Sequence, residues 1–79
     1  MNTQDAVTWI AEIFEEPPGG VSANTPRDDI PGWDSLGVLT LMAALDERFN
    51  ILLSEEEMDG MANVSDILTI LRRDGALDD

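Results

Sequence analysis

The sequence has 79 residues, with 17 acids set against four arginines, no lysine and a formal net charge of −13. That length bounds it to one small domain with a thin core, and the charge excludes a surface that attracts DNA, RNA or anionic membranes. Cysteine and histidine are both missing, which excludes disulfides, thiolate metal sites, a thiol nucleophile of its own and an imidazole base.

Helix one is expected over Thr3 to Glu15. Val7, Ile10, Ala11 and Phe14 recur at helical spacing with Ile13 beside them, Asn2 or Thr3 can cap the start, and Pro17-Pro18-Gly19-Gly20 ends it. A long connection follows from Pro17 to Trp33, pinned by Val21, Ile30 and Trp33, with a short turn at Ser22 to Thr25. Helix two is expected over Ser35 to Phe49, opened by the Pro31-Gly32 turn and capped by Asp34. Ile51-Leu52-Leu53 is too short for a strand and reads as an extended plug. A short third helix is expected over Ser54 to Met61, where Ser54 and Glu57 have capping-box spacing and Met58 and Met61 point inward. Helix four is expected over Val64 to Arg73. Asn63 caps it with Asp66 as partner, Val64, Ile67, Leu68 and Leu71 form its core face, and Gly75 stands ready to terminate it. The fold class is therefore all-α: a small four-helix bundle with three main helices, one short third helix and a long loop between helices one and two.

Helix two carries more apolar surface than one buried face requires. Val38, Leu41, Met42, Leu45 and Phe49 project into one sector and complete a core stripe. Leu36, Leu39 and Ala43 run down another side toward Glu47, which suggests a docking surface, or else packing beneath the long loop. Gly37 and Ala44 form a third, small-residue side that permits close approach of a neighbour.

Ser35 opens this helix beside Asp34. A serine hydroxyl needs a base to act as a nucleophile, and this chain offers neither histidine nor lysine. Ser35 is better suited to be modified by another enzyme, and a group bearing phosphate would sit well against the unpaired N–H groups and positive dipole of a helix start. The carboxylate pairs Glu55 with Asp59 and Asp28 with Asp29 read as solvated faces, and no calcium loop or other metal site is spelled out.

The text DIPGWDSLG, the pattern Leu41–Leu45–Phe49, the acidic stretch DERFN, SEEEMDGM and NVSDIL together resemble an acyl carrier protein of the phosphopantetheine-binding carrier family, across nearly the whole chain. The resemblance implies a single acyl-carrier-like domain over residues 1–79 that is not an enzyme. It implies 4′-phosphopantetheine, attached to Ser35 by a phosphopantetheinyl transferase using coenzyme A, with Asp34 and Leu36 flanking the attachment. The arm's thiol would hold acyl groups as thioesters and deliver them to partner enzymes of fatty-acid, polyketide or specialised lipid biosynthesis. Leu36, Leu39, Ala43, Asp46 and Glu47 would form the surface that meets acyl-loading and acyl-processing enzymes with basic patches. Met42, Met58 and Met61 would be an adaptable lining for a sheltered chain.

Four positions depart from the family's habit. Gly37 and Thr40 stand where housekeeping fatty-acid carriers usually have acids, Ser54 where proline is common, and Arg27 where an apolar residue is common. These departures point toward a dedicated carrier in a specialised pathway. The alternative from another class is an unmodified acidic helical adaptor that binds a basic protein partner through helix two. MNTQDAV has no signal-peptide character and no apolar run nears the ~20 residues of a membrane span, so the expectation is a cytoplasmic monomer with no membrane insertion and no nucleic-acid partner.

Overall fold

Helix α1 (Thr3–Ile13) begins where the Asn2 side chain accepts the Asp5 N–H at 2.8 Å, so Asn2 rather than Thr3 is the cap. Its buried face is Ala6, Val7, Ile10 and Ala11. In the computed structural model, which describes residues 1–78, α1 stops short of the expected Glu15. Glu15 takes a left-handed conformation with φ of 60°. The Glu16 N–H turns back to the Ala11 carbonyl at 2.8 Å and the Glu15 N–H to that of Glu12 at 3.1 Å, which closes the helix before the prolines are reached.

The connection to α2 is ordered by its own bonds. Val21, Ile30 and Trp33 are buried, as expected of its pins. The Thr25 N–H meets the Ser22 carbonyl at 3.1 Å while the Thr25 hydroxyl accepts the Ser22 N–H at 2.9 Å. A 3₁₀ turn, Arg27–Asp29, follows, and Pro26 pairs with Asn63 in an isolated antiparallel bridge. The Arg27 N–H donates to the Ala62 carbonyl at 2.9 Å and the Val64 N–H to that of Thr25 at 3.1 Å. The long loop is thereby stitched to the start of the last helix.

Helix α2 (Ser35–Phe49) has the expected bounds, with Asp34 as cap and Asn50 left-handed at its end. Its core stripe is narrower than the pattern suggested. Val38, Leu41 and Leu45 are buried, whereas Met42 and Phe49 are half-buried. Phe49 lies edge-on to Trp9, with ring centroids 5.4 Å apart and Arg48 over both rings, so the C-terminal end of α2 rests on a surface aromatic cluster. Ile51 and Leu53 plug the core but Leu52 between them is 79% exposed, as the alternation of an extended segment demands.

Helix α3 (Glu55–Asp59) is shorter than expected at its C-terminal end, and its capping box of Ser54 and Glu57 is formed. Met58 and Met61 both point inward. Helix α4 (Val64–Arg73) has the expected bounds and a formed Asn63–Asp66 capping box, with Val64, Ile67, Leu68 and Leu71 buried. Gly75, at φ of 79°, ends it, with the Ala76 N–H on the Leu71 carbonyl at 2.8 Å.

The four helices enclose one core, and α1 packs against both α2 and α4. Phe14, Ile10, Leu41, Leu45, Met58, Ile67, Leu71 and Val64 are its largest buried side chains. The expected all-α bundle stands; of the domain's expected extent, only Asp79 lies outside the described residues.

Candidate functional site

The N-terminal end of α2 is held from below and capped from the side. Gly32 and Gly37 lie backbone to backbone: a Cβ on Gly37 would collide with the Gly32 carbonyl, and one on Gly32 with the carbonyl of Phe14. No larger residue fits either position without moving the helix. This is the close approach expected of Gly37's side of the helix. Phe14 stacks on Trp33, with centroids 5.0 Å apart and planes within 13°, and that stack fixes the last residue before the cap. The Asp34 carboxylate then accepts the Gly37 N–H at 2.8 Å, and the Val38 N–H bonds the Asp34 carbonyl at 2.8 Å.

Ser35 is the first residue of the helix on this platform and it is exposed. Its hydroxyl makes no hydrogen bond among the described residues, and the Ser35 and Leu36 N–H groups have no backbone acceptor, as the geometry of a helix start requires. Asp34, the nearest carboxylate in sequence, is engaged in capping and accepts from a backbone amide rather than from the serine. The site therefore presents an exposed hydroxyl that no side chain among the described residues engages.

Beside Ser35 runs a groove of about 260 Å³ lined by Arg27, Ser35, Val38, Leu39, Glu55 and Asp59. One wall is α2 and the other α3, and Arg27 enters from the loop. Glu55 and Asp59 are exposed, as expected of solvated acids. Arg27 is unusual in type by sequence alone; the tertiary fold is what carries that residue to the serine.

Leu36 is 72% exposed and Leu39 56%. Neither is covered by the long loop, so packing beneath it is not what the second stripe does. Ala43, Asp46 and Glu47 are exposed too, and their spacing continues the same side of the helix. Thr40 turns its hydroxyl back onto the Leu36 carbonyl at 2.9 Å. Gly37 is buried, so of the positions noted for lacking an acid, one has no room for any side chain and the other offers no charge.

A phosphate-bearing group suits these residues. The attachment oxygen is open to solvent, first-turn amides lie beside it, and an arginine shares its groove.

Residues 6–71 match the family described as "Phosphopantetheine attachment site". The chain is also similar to the solution NMR structure of a holo acyl carrier protein from Geobacter metallireducens, at 28% identity and a TM-score of 0.74, over 96% of this chain and 88% of that one. No curated protein matches it.

Proposed function

The chain belongs to the phosphopantetheine-attachment family, and on that premise we propose that Ser35 is the residue that takes the 4′-phosphopantetheine group. The family's proteins are carriers rather than catalysts, and their cofactor is covalent. The observation that carries the assignment to Ser35 is an exposed serine with an unengaged hydroxyl at the first position of α2. The transferase supplies the base that accepts the hydroxyl proton, since no side chain among the described residues is hydrogen-bonded to the Ser35 hydroxyl and Asp34 Oδ1 caps the Gly37 amide. The Ser35 oxygen forms the new bond to the pantetheine-bearing phosphorus as the P–O bond of coenzyme A's diphosphate bridge breaks, and the remainder of coenzyme A leaves as adenosine 3′,5′-bisphosphate. When bound, the group supplies a thiol on which acyl cargo is held as a thioester.

Partners are the transferase and the enzymes that load and process the cargo. They meet Leu36, Leu39 and Ala43 as an apolar strip flanked by Asp34, Asp46 and Glu47, and a basic patch on each partner provides the attraction at distance. Because the positions of Gly37 and Thr40 present no charge, the proposed partners are those of a dedicated pathway rather than the general fatty-acid machinery. The monomer works in the cytoplasm. No helix among the described residues is long and apolar enough to cross a membrane.

The test is intact-mass spectrometry after incubation with coenzyme A, Mg²⁺ and a broad-specificity transferase. The expected result is a gain of one phosphopantetheine in the native chain and none in Ser35→Ala. A gain that persists in Ser35→Ala would move the attachment elsewhere. No gain with several transferases would favour the acidic adaptor, whose binding face would be the same strip.

A further inference from the structure

Arg27 is the one cation in the groove beside Ser35, and its setting is more organised than that of a surface arginine. Its backbone N–H bonds the Ala62 carbonyl at 2.9 Å. Its Nη1 donates to the carbonyls of Asp59 at 3.2 Å and Met61 at 3.4 Å, and the guanidinium lies 5.6 Å from the centre of the Trp33 ring. The side chain is therefore pinned by the end of α3 and by an aromatic face, and much of its rotamer entropy is already lost. Nη2 and Nε have no acceptor among the described residues. Among the described residues no carboxylate lies within ion-pair distance of it, and the ion pairs lie elsewhere, at Met1–Asp78 and Arg73–Asp74. A half-buried guanidinium with a fixed plane and unused donors is a receptor for an oxyanion.

We propose that Arg27 docks the phosphodiester of the arm carried on Ser35, parking the proximal arm in the groove between α2 and α3. This rests on the assignment of Ser35 as the attachment residue. The covalent bond holds the phosphate at the groove's own lining, so docking needs no translational entropy beyond that already spent. The remaining walls set the strength. Val38 and Leu39 offer apolar contact for the arm's methyl and methylene groups, while Glu55 and Asp59 oppose its negative charge. Asp28 and Asp29, next along the chain, add to the opposing field. One cation against these acids gives a reversible contact, which releases the arm when a basic partner surface competes for the same phosphate.

The experiment compares the apo and holo forms of the full chain, with conversion verified by mass. Two spectra are read: the Arg27 Nε–Hε resonance in ¹H–¹⁵N correlation and the ³¹P resonance of the phosphodiester. The expected result is a shift of the Arg27 resonance on conversion that is withdrawn in about 1 M salt, where the screening length falls to about 3 Å. The ³¹P resonance of holo Arg27→Met is expected at the position of a free phosphodiester, with Arg27→Lys between that and the native value. An Arg27 resonance unchanged on conversion, or a ³¹P position that ignores the substitution, would overturn the docking role and leave Ser35 intact. Failure of the mass change would overturn the attachment assignment instead. The native-chain shift needs no variant, so any folding defect in Arg27→Met does not blunt the test.

Discussion

Gly32 and Gly37 set the position of Ser35 to within the tolerance of a backbone contact. A methyl group on Gly37 meets the Gly32 carbonyl, which cannot yield without displacing the turn that aims Asp34 and Ser35. Gly37→Ala is expected to lose about 2 kcal/mol or more, as overpacking of a tight contact does. A Cβ at Gly19 would meet nothing within 4 Å, so Gly19→Ala should stay within about 0.5 kcal/mol of the native chain. Urea unfolding monitored by circular dichroism separates the two. If Gly37→Ala proved as stable as Gly19→Ala, the backbone contact would not be what fixes the serine. The sequence already marked Gly37 as a residue of the small side of helix two, but it could not name Gly32 as its counterpart. That pairing depends on how the turn folds back over Phe14.

Among the elements, α2 works with two faces at once. Val38, Leu41 and Leu45 hold the core, while Leu36 and Leu39 take no part in it. Replacing both exposed leucines by alanine is therefore expected to leave the melting temperature of the apo protein nearly unchanged. It should lower kcat/KM for transferase modification by about tenfold or more, the scale of an apolar anchor at an interface. Equal kcat/KM in the double variant would place docking on another face. The bounds of α2 and α4 were legible because Asp34 and Asn63 mark their starts by local chemistry. Helix α1 was overread by a turn's fraction because its terminator is Glu15 in a left-handed conformation, a role that pattern reading assigns to glycine or asparagine. The 3₁₀ turn at Arg27–Asp29 and the Pro26–Asn63 bridge were not legible: the first has no apolar period, and the second joins residues far apart in sequence. The placement of Arg27, unusual in type by sequence, was not legible for the same reason, since its partners Asp59 and Met61 come from beyond α2. Helix α3, one short turn held by a capping box and Met58, is expected to show the fastest amide hydrogen exchange of the four helices, because so short a helix has little stability of its own. Protection in α3 equal to that in α4 would contradict this.

For the molecule as a whole, a net charge of −13 on 79 residues is the dominant electrostatic fact. Ion pairing does little to offset it: one of the ion pairs among the described residues joins neighbours in sequence, Arg73 and Asp74, and is exposed. Glu55, Glu56, Glu57 and Asp59 crowd a single short helix. Added salt or Mg²⁺ should therefore stabilise the fold by relieving self-repulsion. For a domain of this size about 1 kcal/mol corresponds to roughly 5 °C in Tm, so a rise of that order is expected between low-salt, divalent-free buffer and buffer with Mg²⁺, measured by thermal melts. A melting temperature indifferent to both would mean that the acids are already spaced widely enough for water to screen them.

Trp33 gives the protein an optical handle on the N-terminal end of α2. Its indole is buried against Phe14, its Nε1 meets no acceptor among the described residues, and the Arg27 guanidinium lies over its ring. An indole so placed emits toward the blue, and its quantum yield depends on where that cation sits. Trp9 emits from a different setting, against Phe49 and Arg48, and a Trp9→Phe variant would leave one fluorophore two residues from the serine. Changes at the groove would then be readable as colour and lifetime in real time, with no label added to an arm whose chemistry a label would alter.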